Sequence, residues 1–188
     1  MKKLYSLLIF FYNGLIYFFT PLIVEIFGGF WNFKSSCKEN PNKLKSKIYD
    51  NYQHYNSCGI SQFSDFRGYP ILPHGFFGIF VSAGATIGKN CVIFHHVTIG
   101  SNTLLDSKSA GSPSIGDNVY IGAGAKIVGN VHIGNNVRIG ANAVVVKDVP
   151  ENCIVVIDSI KTIIKSEPLD NSFYDYKTFQ KLSENIDK

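Results

Sequence analysis

His74 stands between a proline and a glycine in the stretch Leu72-Pro73-His74-Gly75-Phe76-Phe77-Gly78-Ile79. A neutral imidazole, with a reference pKa of ~6.5, accepts a proton near neutral pH and can act as general base toward a hydroxyl nucleophile. No periodic pattern requires a histidine at this place, so His74 is the leading catalytic candidate; a solvated loop histidine is the bland alternative. His95 and His96 are contiguous, just ahead of Val97-Thr98-Ile99-Gly100, and His95 is a candidate substrate contact. His54 and His132 read as solvated. No third ligand stands at metal-binding spacing from the contiguous pair, and Cys37, Cys58, Cys91 and Cys153 are widely spaced without a C-x-x-C. Neither a metal site nor a disulfide framework is expected.

What must position these residues is a six-residue beat. From Val81 to Pro150 an apolar residue returns at Val81, Ile87, Ile93 and Ile99, then at Ile115, Ile121, Ile127, Ile133, Ile139 and Val145. Four residues further on comes a small or β-branched one: Ala85, Cys91, Val97, Val119, Ala125, Val131, Val137, Ala143 and Val149. The places between, Gly84, Asn90, His96, Asn118, Gly124, Asn130, Asn136, Asn142 and Asp148, are types that tolerate a left-handed backbone. Short strands with inward residues, separated by tight corners, close a triangular coil, and stacked coils make a parallel β-helix. The beat fails over residues 101–114, a loop of a length usually functional in a solenoid.

The segment Ile-Gly-Asp-Asn-Val-Tyr-Ile-Gly-Ala-Gly-Ala-Lys-Ile at 115–127 resembles the hexapeptide-repeat acyltransferases. Parallel crossovers are otherwise right-handed, so the handedness comes from the resemblance, which implies an all-β, left-handed parallel β-helix of about four to five coils. It also implies acetyl-CoA as co-substrate, with no resident metal, and a homotrimer with active sites between subunits. His74 then matches the family's general base. A hydroxyl losing its proton to His74 attacks the thioester, and Gly-rich backbone can hold the oxyanion. Ala123 and Ala141 match places where small side chains let backbone groups approach the pantetheine arm, and Lys147 matches a cation facing the nucleotide phosphates. The branch resembled is that of serine O-acetyltransferase and its capsule and cell-surface sugar acetyltransferase relatives. In the serine enzymes an aspartate orients the base and a histidine helps hold serine; here those places are Gly59 and Ser112. Asp65 or a backbone carbonyl is the expected substitute for the first, and Ser112 is a candidate acceptor contact. These departures favour a sugar hydroxyl of a surface polysaccharide or its precursor as acceptor, with L-serine as the alternative and a non-catalytic scaffold as a third reading. The γ-class carbonic anhydrases share the helix, but the contiguous histidines do not match their ligand spacing.

Net charge is +4, with 17% charged residues, too mild and dispersed for a nucleic-acid partner. The sequence divides into an apolar N-terminal segment and linker (1–57), the β-helix (58–165, with loop 101–114) and a polar tail (166–188). Residues 4–31 are nearly unbroken apolar sequence with lysines on both sides. They suit a segment lying at a membrane surface, or a pair of short helices packed as a cap. The linker, 37–57, is expected to hold one helical turn, and 153–164 a final strand. The expected location is cytoplasmic, at the cytoplasmic face of a membrane if the apolar segment touches lipid.

Overall fold

A computed structural model of the chain describes residues 2–157, with side chains from Phe10 onward. Three helices lead into five stacked coils, all in one compact unit that ends at Ile157. The first coil holds β1 (Gly59–Ile60) and β2 (Asp65–Phe66), and the second β3 (Phe80–Val81), β4 (Thr86–Ile87) and β5 (Val92–Ile93). The third holds β6 (Thr98–Gly100), β7 (Ser114–Ile115) and β8 (Tyr120–Ile121). The fourth holds β9 (Lys126–Val128), β10 (His132–Ile133) and β11 (Arg138–Ile139), and the fifth β12 (Val144–Val145) and β13 (Ile154–Val155). Isolated parallel bridges, Ile71 to Val92 and Ile133 to Val149, supply the sides the end coils lack. Every strand pair is parallel, in three sheets: A (β1-β3-β6-β9-β12), B (β2-β4-β7-β10) and C (β5-β8-β11-β13). The result is a left-handed parallel β-helix.

Each inward place of the six-residue beat is buried, from Ile87, Ile93 and Ile121 on the strands to Cys91, Val97 and Val137 after the corners. The coils leave the interior filled, and truncating one of these isoleucines to alanine costs about 2–5 kcal/mol. The corners are less uniform than the beat suggests. Asn90, His96, Asn118, Gly124, Asn136 and Asn142 have positive φ, whereas Gly84, Asn130 and Asp148 do not. Those three share the corner between sheets A and B, where the long loop leaves the prism and the chain turns without a left-handed residue at that place. The corner between B and C carries an asparagine ladder, Asn90 to Asn118 to Asn136 to Asn152, each amide donating to the next at 3.0–3.2 Å.

The helices close the open first coil. α1 (Lys2–Ile26) and α2 (Phe30–Glu39) meet at a 97° bend measured over Phe10–Ile26 and Phe30–Glu39, with Gly28 and Gly29 both at positive φ. α3 (Lys43–Tyr55) starts at Asn42, whose side chain accepts from the Lys45 amide at 2.9 Å. The expected linker is therefore a 13-residue helix: its polar surface hides a stripe that buries Ile48 and Tyr49. An uncovered end coil would present bare carbonyls. Here the Tyr49 hydroxyl donates to Ile60 O, and Lys34 Nζ donates to Gln62 O and Ser64 O at 3.2 and 2.6 Å. The cap expected of residues 4–31 is supplied by α2, which shares only Phe30 and Trp31 with that segment. From Phe10 onward α1 buries only Ile16, Thr20 and Val24, and leaves Phe10, Phe11, Leu15, Phe18, Leu22 and Ile26 exposed. No single helix within residues 10–39 is long and apolar enough to cross a membrane. Cys37, Cys58 and Cys91 are buried free thiols, and Cys153 is half-buried and free. β13 realises the start of the final strand; the expected polar tail lies outside the described residues.

Candidate active site

The corner between sheets C and A stacks four chain segments, one per coil. At the bottom is the turn 72–79, above it His95 and His96, then Ala123 and Gly124, then Ala141 and Asn142. Backbone bonds step up this edge: His96 N to Phe77 O at 3.1 Å, Gly124 N to His95 O at 3.0 Å, and Asn142 N to Ala123 O at 2.8 Å. Four of the residues singled out in the sequence, His74, His95, Ala123 and Ala141, are thus brought to one edge of the prism. No backbone or side-chain hydrogen bond among the described residues uses the N–H of Ala123 or Ala141. Their small side chains and free donors fit a ligand whose amide carbonyls need partners.

His74 sits on an exposed turn that is nonetheless fixed. Gly75 and Gly78 take positive φ, Gly75 N bonds to Leu72 O, and Gly78 N bonds to Ser57 O at the end of α3. Phe76 projects back among the helices, with ring centroids 4.6 Å from Phe30, 5.9 Å from Trp31 and 6.2 Å from Tyr52. Across the corner, His74 Nδ1 lies 2.6 Å from His95 Nδ1, and the His74 ring stands edge-to-face with Phe94. Tyr120 continues this aromatic wall, 5.1 Å beyond Phe94. His96 turns away: its ring packs against Phe77 and over Gly78, and its carbonyl accepts from Lys126 Nζ at 2.6 Å.

Neither expected substitute for the orienting aspartate, Asp65 or a backbone carbonyl, bonds to the His74 side chain among the described residues. A Cβ at Gly59 would lie 2.4 Å from the Phe80 ring, so the aromatic side chain occupies the space a carboxylate would need. Asp65 belongs to sheet B and faces Lys38 at 3.8 Å. His95, the candidate substrate contact of the sequence, is the side chain bonded to His74. The sequence did hold a signal. His95 follows His74 by 21 residues, the same offset that pairs Gly59 with Phe80 between the first two coils. That offset becomes readable only once the length of the 72–79 excursion is known.

The remaining candidates lie on the A–B corner. Ser112 Oγ is 2.7 Å from Ser101 Oγ and packs over Gly84. The loop 101–113 is closed by an antiparallel bridge between Asn102 and Gly111, and Asn102 also bonds to Ser107 and Ser109. Leu105 at its tip is 99% exposed. Lys147 is exposed on the same corner, at the fifth coil. A single chain therefore carries the candidate site as two edges separated by sheet A, and among the described residues none of its principal hollows touches His74. Among the described residues there is no group of three side chains able to hold a metal ion.

Residues 112–147 match the bacterial transferase hexapeptide (six repeats). The chain is 37% identical over 100 residues to a serine acetyltransferase of Mycobacterium tuberculosis, covering 53% of this chain and 43% of that protein. It is 41% identical over 105 residues to one of Synechococcus elongatus, covering 54% and 42%. The chain thus spans less than half the length of these curated relatives. Among solved structures, Entamoeba histolytica serine acetyltransferase isoform 3 in complex with cysteine superposes with a TM-score of 0.61 at 29% identity, over 72% of this chain and 48% of that one. Neisseria gonorrhoeae serine acetyltransferase in complex with serine gives 0.58 at 32%, over 70% and 52%.

Proposed function

Starting from a chain that carries the bacterial transferase hexapeptide on a left-handed β-helix, we propose an acetyl-CoA-dependent O-acetyltransferase with His74 as general base. The observation that carries this reading is the exposed His74 ring, held through one nitrogen by His95, on the edge where Ala123 and Ala141 offer free amides. The acceptor hydroxyl gives its proton to His74 Nε2 as its oxygen attacks the thioester carbon. The carbon–sulfur bond breaks, and the thiolate of coenzyme A takes the proton from His74. Lys147 offers a cation for the nucleotide phosphates. A homotrimer would set the His74 edge of one subunit against the Lys147 edge of the next and so supply the pocket that one convex prism lacks.

L-Serine is the acceptor the relatives support, since those described above are serine acetyltransferases. The sugar of a surface polysaccharide, favoured from the sequence, has no such support. One observation keeps it as a second reading. A bound amino acid needs partners for its carboxylate and ammonium, whereas His74 is bordered by Pro73, Gly75, Phe94 and His95, none of them an anion or a guanidinium. Thiol release from acetyl-CoA with L-serine, and separately with a panel of sugars, decides between them. Serine-dependent release is expected; release with a sugar alone would select the second reading. Unchanged turnover in His74→Ala would overturn the base assignment, and no release with any acceptor would leave a scaffold.

A further inference from the structure

We propose that His95 is the positioning residue for His74, accepting its Nδ1–H and so holding it in the tautomer whose Nε2 is free to take the acceptor's proton. The inference rests on the reading of His74 as the base and adds the device that makes it one.

The two Nδ1 atoms are 2.6 Å apart, so one proton lies between them. If it belongs to His74, that ring's Nε2 carries a lone pair and serves as base. If it belongs to His95, His74 carries its proton on Nε2 and cannot. Position separates the two rings. His95 is half-buried on a corner tied down at successive places: its own carbonyl accepts from Gly124 N at 3.0 Å, and that of His96 accepts from Lys126 Nζ at 2.6 Å. His74 is exposed, on a turn that projects beyond the prism, where an acceptor can reach it. The fixed ring orients, and the reachable ring reacts.

Among the described residues no carboxylate competes for the role. Phe80 fills the space beside Gly59, Asp65 faces Lys38 from sheet B, and among the described residues His95 is the one side-chain hydrogen-bond partner of His74. Through the reaction the proton between the rings stays on His74 Nδ1. The substrate's proton arrives at Nε2 and leaves from there to the thiolate, and the positive charge His74 carries meanwhile strengthens its bond to the neutral His95. His95 makes and breaks no covalent bond.

The test replaces the acceptor atom and leaves the base in place. His95→Asn puts an amide oxygen close to the position of Nδ1, while His95→Leu fills similar volume with no acceptor. With thiol release as the assay, His95→Leu is expected to lower kcat about 100-fold with the KM for acceptor little changed, and His95→Asn to recover at least about tenfold of that loss. Imidazole nitrogen NMR of the free protein is expected to show His74 protonated at Nδ1, a readout independent of turnover, and circular dichroism confirms that both variants fold. Equal losses in the two variants, a raised KM at unchanged kcat, or His74 protonated at Nε2 would each overturn the proposal. Active His95→Leu beside inactive His74→Ala would remove the positioning role and leave the base; active His74→Ala would remove the base itself.

Discussion

Lys34 is drawn into the seam between α2 and the first coil, and burial lowers its ammonium to about 8, assisted by the nearby Lys38 and opposed by Asp65. Between that value and the ordinary 10.5, the unfolded chain still holds a proton that the folded chain has released. This residue therefore makes the fold more stable as pH rises through that window, and the full cost of burying its charge is felt below it. Replacing it with methionine removes the dependence. In urea unfolding at pH 7.5 and 9.5, the native chain should gain about 2 kcal/mol relative to Lys34→Met. The same slope in both proteins would mean the ammonium is not desolvated. Neither Lys34 nor His95 was legible as a partner in the sequence. A lysine in a polar-flanked run reads as solvated, and its interior role depends on two carbonyls 28 and 30 residues away.

The turn 72–79 is an element set by its neighbours. Its two left-handed glycines bend it, but Phe76 decides where His74 points, because that ring is wedged among Phe30, Trp31 and Tyr52. The N-terminal helices thus act on the site without touching it. Phe76→Ala should lose about 2–4 kcal/mol of stability and, through a loosened turn, lower kcat about 10- to 100-fold. Denaturant unfolding and steady-state rates of thiol release check both. A variant as unstable as expected but with native kcat would show that the backbone bonds of Gly75 and Gly78 hold the turn unaided. The beat of the coils was readable because each inward place is repeated and buried. The helical character of 43–55 was masked by its polar composition, since only a narrow stripe faces the core.

At the scale of the molecule, net charge and exposed apolar side chains fall in the same N-terminal stretch of sequence. Residues 1–57 hold seven lysines against Glu25, Glu39 and Asp50, a net +4, whereas the rest of the chain balances eleven cations with eleven anions. In the same region α1 leaves Phe18 77% and Leu22 56% exposed. We propose that the exposed side of α1, in this lysine-rich region, rests on an anionic bilayer, its rings in the headgroup boundary. The protein should float with vesicles containing phosphatidylglycerol, less with purely zwitterionic ones, and Phe18→Ser with Leu22→Ser should abolish flotation. No flotation, with an oligomer that dissociates in the double variant, would make the face a contact between copies. The sequence by itself determined the prism, its filled interior and most left-handed corners, because a short repeat specifies inside and corner locally, coil after coil. Only the tertiary structure decided which edge each candidate occupies, since insertions before β3 and before β7 reset the stacking. By that resetting His74 comes under His95, while Ser112 and Lys147 go to another corner.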